Sequence, residues 1–169
     1  MSDHPNTALL QRFYSAFAAL DADAMQACYT PGARFRDEAF TLDGAEQIGA
    51  MWHMLCDAVR AQGSDVWRLE AAAIDADAEH GRAHWEAHYR FSATGRQVHN
   101  VIDAEFEFHD GLIRAHTDRF PFWRWSRQAL GAPGWLLGWT PWLQARVRAQ
   151  AMHNLARYRK ACAAPVAPT

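Results

Sequence analysis

At 169 residues, half of them apolar, the chain is sized for one domain around one core, and nothing calls for a second. Net charge is only −2, yet residues 1–118 hold all 19 acids against 9 basic residues, while 119–169 hold 8 basic residues and no acid. Cys28, Cys56 and Cys162 are odd in number, widely spaced and without a Cys-x-x-Cys pair, which excludes a disulfide framework and a zinc knuckle.

The opening MSDHPNTALLQRF lacks a basic region followed by an apolar run and a cleavage site, so no signal peptide is read there and the cytoplasm is the expected location. Leu10, Phe13, Tyr14 and Phe17 then form an i, i+3, i+4, i+7 stripe, the mark of an amphipathic helix. A shorter helix over about 22–28 gives way at Pro31-Gly32 to a short strand over 33–37. A second long helix carries Ile48, Met51, Trp52, Leu55 and Val59, with capping-box spacing at Asp43 and Glu46 to start it and Gly63 to stop it. From Asp65 the period changes to two, predicting strands over 66–74, 82–93, 97–109 and 112–122. Helices first and an antiparallel sheet after is an α+β order.

Residues 123–142 hold five of the eight Trp among glycines and prolines, and a basic helix is predicted over about 142–160 with Leu143, Val147, Ala151, Leu155 and Tyr158 in a stripe. PGWLLGWTPWL is far shorter than the ~20 apolar residues a bilayer span needs, so this region is read as a covering arm or a subunit contact and no membrane partner is expected. Glu70, Glu86, Glu105 and Glu107 on the strands would repel phosphates, so no nucleic-acid partner is expected either.

The densest chemistry lies in QVHNVIDAEFEFHDGLIRAHTDRFPF, residues 97–122. Alternation puts Asn100, Ile102, Ala104, Phe106 and Phe108 on one face, with Asp110-Gly111 as the φ > 0 turn. On the returning strand His116, Asp118, Phe120 and Phe122 share a face. An imidazole beside a carboxylate, with an Asn facing aromatics, suits proton transfer near neutral pH. His84 and His88 stand about 13 Å apart at ~3.3 Å per residue, too far to share one ion, so no metal is expected. Lys160 is the only lysine, and no Gly-rich phosphate loop, nucleophile elbow or dinucleotide fingerprint appears, so no cofactor is expected.

LLQRFYSAF, ACYTPGARFRDEAF, LDGAEQIGAMW and NVIDAEFEFHDGLI together resemble the nuclear transport factor 2-like superfamily, in its SnoaL-like and ketosteroid-isomerase-like branch. The resemblance covers about 8–122, with 123–169 as an extension, giving a domain over 1–122. It implies a cone-shaped α+β barrel, a curved antiparallel sheet wrapped around the N-terminal helices, and a homodimer. It also implies a general base at Asp37, at the end of the first strand, and a pocket lined by Tyr29, Trp52, His116, Asp118 and Phe120. The family's oxyanion tyrosine falls on Phe13, with Tyr14 next to it and rotated by about 100°. Its oxyanion acid falls on Asp103 or on Ala104, and alternation turns Asp103 away from the pocket. These departures argue against a steroid isomerase.

Three readings follow. The first is a cofactor-free isomerase, cyclase or dehydratase working on a small, apolar carbonyl or hydroxylated compound. Asp37, or His116 with Asp118, moves the proton; Asn100 and Tyr14 stabilise oxygen charge; Phe13, Phe17, Trp52, Trp85, Tyr89 and Phe120 exclude water. The second is a non-catalytic binding protein of the same shape, and the third an interaction module working through the Trp-rich arm.

Overall fold

The computed structural model describes residues 4–164. Residues 1–3 of the leader reading and 165–169 of the extension lie outside them. In chain order the elements are α1 (Pro5–Ala18), α2 (Ala22–Gln26), β1 (Tyr29–Arg36), β2 (Thr41–Asp43), α3 (Ala45–Ala61), β3 (Arg68–Ala76), β4 (His80–Arg90), β5 (Gln97–His109), β6 (Leu112–Arg119), α4 (Phe122–Leu130), α5 (Ala132–Leu137) and α6 (Pro141–Ala163). The fold is α+β: one curved six-stranded sheet in the order β2-β1-β6-β5-β4-β3, with the N-terminal helices packed into it.

All pairings are antiparallel except β1 with β6, which joins the N-terminal strand to the last one and leaves β2 and β3 as the sheet's edges. The β5–β6 hairpin turns at Asp110 and Gly111, with φ of 50° and 73°, as the sequence required. Irregular register between Tyr29 and Arg34 in β1 and between Ala72 and Asp75 in β3 supplies local bending.

The apolar stripes do what their periodicity predicts. Leu10, Phe13, Tyr14 and Phe17 of α1 and Ile48, Met51 and Trp52 of α3 are buried against Phe35, Ile102, Phe106 and Ile113 of the sheet. Each such side chain contributes ~1.5–3 kcal/mol of burial. Gly63, at φ 86°, follows the last residues of α3, in the place where the sequence set its stop.

Several boundaries differ from the sequence expectation. Asp43 does not cap α3: it ends β2, Gly44 holds the N-cap without a side-chain bond, and the Asp43 N–H donates to Gln47 Oε1 at 3.1 Å. The first strand begins at Tyr29 rather than at residue 33, because parallel pairing with β6 extends it through the bulge. The last strand stops at Arg119, since Pro121 cannot donate to the ladder and becomes the N-cap of α4.

The arm packs a second apolar cluster onto the sheet. Phe122, Trp125 and Ala129 of α4 and Leu143 of α6 meet Val98, with Tyr89, Phe91 and Phe120 alongside. Further along, α6 places Leu155 in the main core, and its Arg148 donates to the backbone carbonyl of Glu38.

Candidate functional site

Apart from tyrosines, the buried polar residues among the described residues are Asn6, Thr7, His116, Asp118 and Ser126, so His116 and Asp118 are the titratable pair in that set. Both side chains point inward from β6, as alternation predicts, and both are almost wholly out of solvent, at 1% and 3% exposure. Ion-like groups survive such burial only when their polar atoms are met.

Three further side chains meet them in a hydrogen-bonded chain. Trp52 Nε1 donates to Tyr29 Oη at 3.2 Å, Tyr29 Oη lies 2.7 Å from His116 Nδ1, His116 Nε2 lies 3.0 Å from Asp118 Oδ1, and Trp85 Nε1 donates to the same oxygen at 3.3 Å. The donor inventory is met by one arrangement of the protons. An indole N–H only donates, so Tyr29 accepts from Trp52 and spends its own proton on His116 Nδ1. In that arrangement Nε2 carries the ring proton and donates to Asp118 Oδ1. Burial holds the Tyr29 phenol well above its ordinary range, so it stays protonated. Both nitrogens are engaged, so His116 links Tyr29 to Asp118.

Rings enclose this chain. Phe13, Phe35 and Phe106 pack against the His116 imidazole with centroids 5.7, 4.9 and 4.3 Å away. Phe17 packs on Trp52, Trp67 and Trp85. Tyr14 contacts Trp85 and Phe106, and its hydroxyl is buried without a hydrogen-bond partner. Burial, with the nearby Asp118 charge adding to it, raises the Tyr14 phenol well above its usual value.

Asp37 follows β1 in a half-buried turn. Its Oδ1 accepts the N–H groups of Ala39 and Phe40 at 2.7 and 2.6 Å. Those bonds favour the ionised form, yet desolvation outweighs them and, with Asp118 and Glu38 as like charges, the carboxyl is pushed up to about 7. The field of Asp37 reaches Tyr89, which burial pushes up to about 12 and whose oxygen accepts from Trp125 Nε1 of the arm at 2.9 Å.

The fold thus brings Tyr14, Tyr29, Trp52, Trp85, His116 and Asp118 together, and Asp37 and Tyr89 lie within electrostatic reach of them. Phe120 is half-buried and sits with Trp125, 6.3 Å between centroids, under the arm. Asn100 faces inward and is half-buried, but its side chain makes no hydrogen bond among the described residues. Asp103 points outward, at 2.8 Å from His84 Nδ1. The hydrogen bond from Tyr29 to His116 was not expected from sequence, although the family resemblance puts both residues in one pocket lining.

Among the described residues, one group has metal-compatible donors: Glu86, His88 and His99 offer atoms within 4.8 Å of one another on the outer face of β4 and β5. Cross-strand register, not spacing along one strand, assembles it. Its imidazoles lie parallel, 4.1 Å apart, so their lone pairs do not converge, and the Arg68 guanidinium is 3.1 Å from His88 Nε2. Those features suit a surface hydrogen-bond row better than an ion. No helix among the described residues is long and apolar enough to cross a membrane.

Residues 10–116 match the family model of the SnoaL-like domain. No curated protein matches the sequence. Solved structures share the fold at low identity. One is a "putative polyketide cyclase" from Xanthomonas campestris, at 20% identity and TM-score 0.59, covering 73% of this chain and 96% of its own. Another is an LEH-like epoxide hydrolase from M. tuberculosis, at 17% and 0.58, covering 75% and 90%. A third is a hypothetical protein with a ketosteroid isomerase-like fold from Catenulispora acidiphila in complex with trimethylamine, at 15% and 0.61, covering 79% and 97%.

Proposed function

The chain belongs to the SnoaL-like domain family, and on that footing we propose that it is a cofactor-free isomerase, cyclase or dehydratase acting on a small, apolar carbonyl or hydroxylated compound by general acid–base catalysis. The observation that carries this reading is Asp37, a carboxyl poised at about 7 beside a buried network of aromatic and polar groups. The reading is supported by neighbours of the same fold that are named a "putative polyketide cyclase" and an LEH-like epoxide hydrolase.

In this mechanism ionised Asp37 removes a proton from carbon next to a carbonyl, and the electron pair moves onto the oxygen. Tyr14, whose hydroxyl has no protein partner, donates to that oxygen. Protonated Asp37 then returns its proton, to another carbon in an isomerisation or to a leaving hydroxyl, released as water, in a dehydration. Tyr29, His116 and Asp118 are positioning residues: Asp118 fixes the field felt by both Tyr14 and Asp37. Asn100 offers a further polar contact, and Phe13, Phe17, Trp52, Trp85, Tyr89 and Phe120 exclude water. We place the protein in the cytoplasm as a homodimer, with residues 1–122 as the SnoaL-like domain and 123–169 as its extension.

The enclosure of His116 and Asp118 favours a second reading, a binding protein that closes around a small ligand without reacting. Thermal-melt shifts with planar phenols and enones, on wild type and Asp37→Asn, separate the two. Ligand at 100 times its dissociation constant adds about 2.7 kcal/mol. A phenolate that stabilises Asp37→Asn more than wild type supports the base assignment, because the phenolate mimics an enolate. Equal shifts support plain binding, and no shift with any compound removes the pocket reading.

A further inference from the structure

The basic arm was expected to cover the body or a partner subunit, and part of it packs on the body. Its tip does not pack on the body. Among the described residues, the exposed large apolar side chains are Trp123, Trp135, Leu136, Leu137, Trp139 and Trp142, all within one stretch, with Leu136 70% and Trp139 69% exposed. They sit on and around α5, a short helix bounded by Gly131 and Gly138.

Cations rim this patch. The Arg127 guanidinium lies 4.4 Å from the Trp123 ring and 5.0 Å from the Trp135 ring, and Arg146 lies 5.7 Å from Trp142. A hollow lined by Arg96, Arg127, Gly131, Ala132, Trp135 and Leu136 sets two guanidiniums beside the apolar tip, and Arg127 Nε is buried there without a partner. No acid occurs anywhere in residues 119–169, while all 19 lie before them.

We propose that this tip docks on the surface of an anionic lipid bilayer. The two chemistries required at such a surface coincide here. Indoles favour the headgroup level, and leucines beside them reach the acyl boundary. Arginines in the same patch pair with lipid phosphates. Two indole donors are already met within the arm, Trp123 Nε1 by the Trp135 carbonyl and Trp139 Nε1 by that of Leu136, so these rings enter an apolar layer with no unmet N–H. The acidic body is repelled by the same surface, which orients the molecule tip-first. The patch rests on the membrane and does not span it. A second copy of this chain is the rival occupant, its acidic body offered to the basic tip.

Cosedimentation of the full chain with vesicles of phosphatidylcholine alone, or with 30% phosphatidylglycerol, tests this. Expected is at least tenfold stronger binding to the anionic vesicles, weakened by 0.5 M salt. Leu136→Ala with Trp139→Ala should abolish that binding without lowering the melting temperature, since both side chains are exposed. Arg96→Gln with Arg127→Gln should weaken it about twenty-fivefold, from roughly fivefold per arginine at a charged bilayer. Absence of anionic preference, or a concentration-dependent dimer that Leu136→Ala with Trp139→Ala dissolves while vesicle binding is nil, overturns the proposal.

Discussion

Replacing Asp37 by Asn removes one charge and keeps the shape: the Asn side-chain oxygen still accepts from Ala39 and Phe40. In the folded chain the carboxyl holds its proton up to about 7, against 3.8 for the free group. Folding therefore binds a proton between those values, and Asp37 makes stability fall as pH rises through that window. At ~1.36 kcal/mol per pH unit the full cost above pH 7 is at most ~4 kcal/mol. The turn is half-buried, so solvent screens part of the field and ~2 kcal/mol is expected. Asp37→Asn should thus be more stable than wild type by ~2 kcal/mol at pH 8, or about 4–8 °C in melting temperature for a domain of this size. The gain should shrink steadily toward pH 4, close to the 3.8 at which the carboxyl titrates in the unfolded chain. Urea unfolding at pH 4, 5.5 and 8 measures this directly. A gain that is absent at pH 8, or that is the same at all three pH values, refutes the burial of this carboxyl and with it the proposed base.

Tyr29→Phe removes the hydroxyl shared by Trp52 and His116 and strands a buried indole N–H and a buried imidazole nitrogen; a loss of about 2–3 kcal/mol in chemical denaturation is expected. Trp125→Phe removes the donor to Tyr89 and trims a buried indole of the arm, costing about 2–3 kcal/mol by the same assay. Gly134→Ala would place a Cβ 1.9 Å from the Ser126 carbonyl oxygen, so α4 and α5 must part. Faster proteolysis within 131–140 and a stability loss of 2 kcal/mol or more should follow, and an unchanged cleavage pattern would contradict that packing.

What could be read from the sequence was local. The stripe of Leu10, Phe13, Tyr14 and Phe17 carried its own period, and Asp110-Gly111 carried its own turn chemistry. Alternation likewise placed His116 and Asp118 on one inward face. What escaped was set by pairing across the fold. Tyr29 meets His116 over 87 positions, and Trp85 meets Asp118 over 33, through strand registers that no local pattern encodes. The same holds for His99, brought beside His88 by the β4–β5 ladder. The missed start of β1 has a related cause, since its first residues pair only once β6 is in place.

That last pairing has a consequence for synthesis. β1 ends at Arg36, and the strand that must join it begins at Leu112. At ~5–20 residues per second, a ribosome leaves β1 and β2 without their neighbour for roughly 4–15 s. Through that interval the hairpin carries an open sheet edge and Phe35 without its core, a template for joining another nascent chain. The sheet is therefore completed late, by its last hairpin, and a stalled chain ending before residue 112 is the species on which chaperones would be needed.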